Sequence, residues 1–165
     1  MTTQIKFRFI GLLASLFIIS NSFSQLSNVE NLQSSFANIS YDKDYTNVQT
    51  EFQKLFSNAE NISWYNVKKN FGATFTINDL RYRVLLNQKG KLMFKITYGK
   101  EKHLPPDIRK MVKRYYVEFF IKAASLVEEA DRKIWVINLE DDSKYVIVRV
   151  EDNEIAENMN YKKQK

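Results

Sequence analysis

The chain has no cysteine and one histidine among 165 residues. Without cysteine there is no disulfide framework, although an exported protein could form one, so stability is expected to come from packing. A lipid-modified N-terminal cysteine is excluded too, and the mature chain is expected to carry no lipid anchor. Cysteine nucleophiles are absent, and a Ser-His-Asp arrangement would have to recruit His103, which stands in a linker ahead of two prolines. Transition-metal sites need several His or Cys ligands, which this chain lacks. The acidic stretches "VEEAD" (Glu128, Glu129, Asp131) and "LEDDS" (Glu140, Asp141, Asp142) lack the ligand spacing and turn glycine of a calcium loop. They read as solvated turn carboxylates. No catalytic residue, metal or cofactor is expected, and the chain reads as no enzyme.

What is present is enough for a core: 44% of residues are hydrophobic and 14% aromatic. The first 24 residues read as a signal peptide. Lys6 and Arg8 form its charged region, "FIGLLASLFII" its apolar region, and Ser22 and Ser24 its cleavage signal. The apolar run is too short for a membrane span of about 20 residues. The chain is therefore expected to be periplasmic or secreted, with no membrane insertion after cleavage. Removing Lys6 and Arg8 leaves 23 basic against 19 acidic residues, a charge of +4 in place of +6. That surplus suits solubility and asks for no nucleic-acid partner. "RKMVKRYY" and "NYKKQK" are basic with aromatics nearby, but they lack the dense stripe and module signature of nucleic-acid binders. Residues 25–45 are Asn-, Ser- and Asp-rich and read as a polar, loosely ordered leader.

Beyond the leader the pattern repeats. Thr46 and Gln49 fit a capping box, and Val48, Phe52, Leu55 and Phe56 then follow at helical spacing. Sixty residues later Ile108, Val112, Tyr115 and Tyr116 take the same spacing, behind a helix start at Pro105-Pro106-Asp107. Phe71, Ala73 and Phe75 alternate, as do Trp135, Ile137 and Leu139; Tyr82, Val84 and Leu86 correspond to Val146, Val148 and Val150. Asn78-Asp79 and Asp142-Ser143 read as tight hairpin turns, and Gly90 and Asn153 suit a left-handed backbone.

The expected fold is α+β: two tandem helix-plus-antiparallel-meander units, 46–99 and 104–161, forming one curved sheet with helices packed on one face, and a basic tail at 162–165. Alternation directs Phe71, Ala73, Phe75, Tyr82, Val84 and Leu86 toward the helices. Thr74, Thr76, Arg81, Arg83, Lys95, Asn138, Tyr145, Ile147 and Arg149 point away. In "NISWYNV" the same rule sends Trp64 inward with Ile62 and leaves Tyr65 outward.

"LFSNAENISWYNVKKNFGATFTINDLRYRVLLNQKGKLM" resembles the PepSY-like, β-lactamase-inhibitor-like domains of exported bacterial proteins. Their pattern, "F-P-N-A-x-x-V-x-W", "Y-x-A-x-F" and "D-x-x-G-K-L", is matched by Phe56 to Ala59 with Ile62 and Trp64, by Phe71-Ala73-Phe75, and by Asn87 to Leu92. "LPPDIRKMVKRYY" similarly resembles the helix of a second unit. Ser57 replaces the usual Pro, Asn87 the usual Asp, and "VEFFIKAAS" lacks the small-residue break after the helix. The resemblance implies a small exported binding or inhibitory module that grips a protein or peptide partner in the cell envelope through its open sheet face. Tyr65, Arg81, Arg83, Tyr145 and Arg149 are the expected anchors, since exposed aromatics beside cations are what interface hot spots are made of. The alternative is a carrier of a small ligand or envelope polymer, with a pocket between helices and sheet.

Overall fold

The computed structural model describes residues 43–163. The expected signal peptide and residues 25–42 of the expected leader lie outside the described residues, as do the last two of the basic tail.

Helix α1 spans Lys43–Leu55. It starts before Thr46, so the expected capping box does not form. The Thr46 carbonyl instead accepts a hydrogen bond from the Thr50 hydroxyl at 3.0 Å, inside the helix. The reason is Tyr45, which is buried with its ring 5.7 Å from that of Trp64 and 5.9 Å from that of Phe71. Burying this ring draws an additional turn of chain into the helix.

Four strands follow, β1 (Glu60–Val67), β2 (Asn70–Ile77), β3 (Leu80–Leu86) and β4 (Leu92–Gly99). Helix α2 (Pro106–Tyr115) comes next, started by proline at its first position and Asp107 in its first turn. Four more strands complete the chain, β5 (Phe120–Glu129), β6 (Arg132–Glu140), β7 (Lys144–Glu151) and β8 (Glu154–Lys162). The two helices end alike. Phe56 N–H donates to the Phe52 carbonyl at 2.9 Å and Ala59 N–H to that of Phe56 at 3.1 Å; Tyr116 to Val112 and Phe119 to Tyr116 repeat this at 2.9 and 3.2 Å. The missing small-residue break therefore changes nothing at the second exit.

Turn chemistry closes the hairpins. Asn78 and Asp79 both have positive φ, 48° and 64°, as do Asp152 and Asn153, 50° and 61°. These are the mirror-image turns whose twist suits two-residue hairpins. Between β3 and β4 the Asn87 side chain accepts from Lys89 N–H and Lys91 N–H, the work an Asp would do, and Gly90 supplies φ +77°. Between β6 and β7 the Asp141 carboxylate accepts from the backbone N–H groups of Ser143 and Lys144 at 2.6 and 2.7 Å.

The strands form one eight-stranded sheet in sequence order, β1 to β8, every neighbouring pair antiparallel. This corrects the expected α+β fold of two tandem helix-plus-meander units with helices packed on one face. The fold is mainly β. β4 and β5 are hydrogen-bonded directly from Phe94↔Glu129 to Gly99↔Ala124, so the ladder runs uninterrupted through the place where two units would meet. Nor do the helices make a layer. Helices of 13 and 10 residues are only about 20 and 15 Å long, whereas eight strands spaced about 4.8 Å apart span roughly 34 Å.

Each helix instead meets a local patch. Val48 and Phe52 of α1 share a buried cluster with Ala73, Phe75, Val84 and Leu86. Ile108 and Val112 of α2 share another with Ile121, Ala124, Ile137, Leu139 and the three valines of β7. Between these patches the same side of the sheet is polar, carrying a 2.7 Å ion pair of Lys95 with Glu128. Lys95 was expected on the opposite side. Its register partner is Val84, so it shares that residue's side; Met93, the extra residue bulged out of β4 between Leu92 and Phe94, resets the alternation counted from Leu92.

Candidate functional site

Directly paired residues in an antiparallel ladder share a face, so the registers trace rows across the side of the sheet that α1 and α2 do not meet. One row is Tyr65–Gly72–Leu85–Phe94–Glu129. The next is Ser63–Thr74–Arg83–Ile96–Val127–Ile134. A third is Thr76–Arg81–Tyr98–Ser125–Val136–Arg149. At the far end of β5 to β8 runs Phe120–Glu140–Tyr145–Tyr161. All five expected anchors therefore lie on one face. Tyr65, Arg81 and Arg83 come together; Tyr145 and Arg149 stand apart from them on β7.

The first group is closely built. Tyr65 is half-buried with its ring laid over Gly72, where a side-chain methyl would fall 2.3 Å from Tyr65 Cε2 and Cζ. The Arg83 guanidinium carbon is 5.8 Å from the Tyr65 ring centroid, and that of Arg81 is 4.5 Å from the Tyr98 centroid. Burial pushes the Tyr65 hydroxyl above its ordinary value; the Arg83 charge opposes this and Tyr98 adds to it. Among the described residues neither Arg81 nor Arg83 pairs with a carboxylate, and Arg83 Nε is buried without a hydrogen-bond partner. By contrast Arg132 forks onto Glu151 through Nε and a terminal nitrogen at 2.7 and 3.0 Å.

The second group is more exposed. Tyr145 is 46% exposed, Tyr161 opposite it 54% and Phe120 in the same row 72%. The Lys163 ammonium sits 4.9 Å from the Tyr145 ring and 2.7 Å from Glu140, whose carboxyl it holds below the ordinary range with help from Lys122. Between the two groups the face is apolar. Val127 and Ile134 are 3% and 2% exposed, outside both helix-bearing clusters.

Trp64 goes inward, its ring 4.9 Å from that of Phe52, while Tyr65 takes the other side. His103 is engaged locally. Its Nδ1 accepts the Lys100 backbone N–H at 2.9 Å, closing a short 3-10 turn. The acidic stretches are engaged as well, Glu128 with Lys95, Glu140 with two lysines and Asp141 with its own turn. A groove of about 670 Å³ lies between α1 and the β1 end of the sheet, lined by Thr46, Gln49, Thr50, Phe52, Gln53 and Lys54 of α1 with Ile62 and Trp64 of β1.

Gly72, Tyr98 and Phe120 belong to this face and sequence reasoning passed over them. A lone glycine inside an alternating strand is the signal for Gly72, because it marks a close approach of another group to the backbone. Phe120 was hidden by the bulge between Ile121 and Ala123.

No protein-family model and no curated protein matches the chain. Solved structures do. A DUF2874 family protein from Bacteroides ovatus aligns at TM-score 0.59 and 19% identity, over 70% of this chain and 89% of its own. A BLIP-like protein from Bacteroides fragilis aligns at 0.58 and 16% identity, over 71% and 84%. The fold is BLIP-like. A candidate periplasmic protein from Bacteroides eggerthii aligns at 0.59 and 16% identity, over 70% and 86%. At such identities the likeness establishes the fold alone. Among the described residues no helix is long and apolar enough to cross a membrane.

Proposed function

We propose that the chain is an exported, non-enzymatic binding module, akin to PepSY-like domains, that grips a protein or peptide partner in the cell envelope through this sheet face. The observation that carries the reading is the face itself. It bears Tyr65, Arg81, Arg83, Tyr145 and Arg149 on one side of the sheet, with Tyr145 46% exposed and, among the described residues, no ion pair to Arg81 or Arg83. Aromatic and arginine anchors are the side chains in which binding hot spots are richest. The BLIP-like neighbour supports an inhibitor-like or binding role over catalysis, and the candidate periplasmic neighbour supports export. The carrier alternative has less behind it, since the groove beside α1 lies at the sheet's β1 end and opens broadly to solvent rather than enclosing a ligand.

The test is affinity capture from periplasmic extract of the source cells with the full chain as bait. A variant with all five anchors changed to Ala is expected to lose the co-purifying protein while keeping its circular dichroism spectrum. Unchanged capture by the folded variant would refute the assignment of the face.

A further inference from the structure

We infer that Arg81 and Arg83, walled by Tyr98 and Tyr65, form a receptor for a carboxylate, the side chain of an Asp or Glu presented by the protein partner. The source of that carboxylate rests on the binding-module reading above; the receptor itself rests on geometry. The two arginines are two residues apart on β3 and share a face, so their Cα atoms are about 6.6 Å apart. Each guanidinium lies against a tyrosine ring, Arg81 at 4.5 Å from the Tyr98 centroid and Arg83 at 5.8 Å from that of Tyr65. Held on aromatic faces, the forks are pre-organised and keep N–H donors unused.

Among the described residues neither guanidinium has an ion-pair partner. Their register neighbours are Thr74, Thr76, Ile96 and Tyr98, and the nearest carboxylate in either row is Glu60, one strand beyond Thr76. A second, independent sign is Arg83 Nε, a buried donor with no acceptor. A buried donor left unmet costs stability, and a charged one costs more. An incoming carboxylate supplies the missing acceptor once the guanidinium turns its Nε edge outward, in the bidentate geometry that arginine prefers. Charge selects the anion, and the exposed rings on the same face select the carrier. Tyr145 is 46% exposed, Tyr161 54% and Phe120 72%. An acidic side chain on a protein surface with apolar groups of its own meets both, whereas a hydrated anionic polymer leaves the rings uncovered.

The experiment titrates the full chain with N-acetyl-aspartate amide, with N-acetyl-asparagine amide as the neutral control and inorganic phosphate as the competing anion. The readout is the arginine Nε–H resonances. The aspartate probe is expected to shift the Arg83 Nε–H resonance saturably, and the asparagine probe to leave it in place. Arg81→Gln should weaken binding about tenfold or more, the loss of a hydrogen bond to a charged group. Arg83→Lys, which keeps the charge but not the fork, should weaken it several-fold. Lys110→Gln, an equal loss of charge on α2, should leave affinity unchanged. No saturable shift, equal shifts from both amides, or tighter binding of phosphate than of aspartate would overturn the inference. If the anchor variant loses its partner while the aspartate probe never binds, the carboxylate receptor falls and the binding module stands. If the probe binds and capture is unaffected by the anchor substitutions, the receptor stands and the protein-binding reading falls.

Discussion

Replacing Gly72 by Ala should move Tyr65 without unfolding the sheet. The added methyl would sit 2.3 Å from two ring carbons, whereas carbons in contact keep about 3.5 Å, so the ring has to retreat by roughly 1.2 Å or swing away. The atoms met belong to the far end of a side chain, so the backbone is spared. Losing the Arg83–Tyr65 contact costs about 0.5–1 kcal/mol. Re-exposing some 50 Å² of ring costs roughly a further 1.2 kcal/mol. Against this, Ala in a strand interior is better than Gly by about 0.5–1 kcal/mol. The expected net destabilisation is therefore about 1 kcal/mol, read from urea unfolding. Burial is what raises the Tyr65 hydroxyl, so in the variant its titration, followed by tyrosinate absorbance with Tyr65→Phe as reference, should move down toward the ordinary value of 10.0. Capture of the partner should weaken at the same time. An unmoved Tyr65 titration would refute the argument that its ring occupies the space over Gly72. A cost above about 3 kcal/mol would show that Gly72 is needed for something beyond room, such as backbone geometry.

Phe52→Ala removes a 1%-exposed ring that touches Phe56, Trp64 and Phe75. It should cost about 3–5 kcal/mol in urea unfolding; a cost under about 1 kcal/mol would mean the patch beneath α1 collapses to refill the space. Acid should destabilise through Glu151, whose carboxyl is held below its ordinary value chiefly by the hydrogen bonds from Arg132. Because the folded value is lowered, this contribution is present above the unfolded value and is lost as pH falls through the folded one. Unfolding midpoints should therefore decline as pH drops below about 4.5, with a shallower decline in Arg132→Gln; an identical acid slope in both would refute the linkage.

What could be read along the chain was what depends on near neighbours. Apolar alternation located β2, β3, β6 and β7 and their inward residues, and it separated Trp64 from Tyr65. The Asn78-Asp79 turn and the Pro105-Pro106 helix start follow from single-residue backbone preferences, and both stand in the structure. What was lost depends on distant partners. The direct pairing of β4 with β5 joins strands separated by a helix, and nothing local marks it. One curved sheet was expected, but built of two tandem helix-plus-meander units under a helix layer; hydrogen bonding from Phe94↔Glu129 to Gly99↔Ala124 leaves no boundary between such units. Bulges did the remaining damage. One extra residue reverses the face of everything after it, which is why Lys95 turned up on the helix-bearing side and why Phe120 was missed.

The corrected fold bears on function because a face is only as large as the sheet that carries it. Two separate units would offer two half-faces, each with part of the anchor set and its own orientation. In the single sheet Arg81 and Arg149 occupy one row, linked strand by strand through Tyr98, Ser125 and Val136. Four strand spacings separate them, about 19 Å. Eight strands and some seven residues per strand give a face of roughly 34 by 23 Å, or about 780 Å². That is close to the roughly 800 Å² which one partner contributes to a protein–protein interface of standard size. One sheet can thus present Tyr65, Arg81 and Arg83 to one part of a partner and Tyr145 to another at a fixed spacing, with Arg149 beside the apolar centre. The uninterrupted β4–β5 ladder fixes that spacing. Weakening the ladder should reduce affinity even if every anchor is kept.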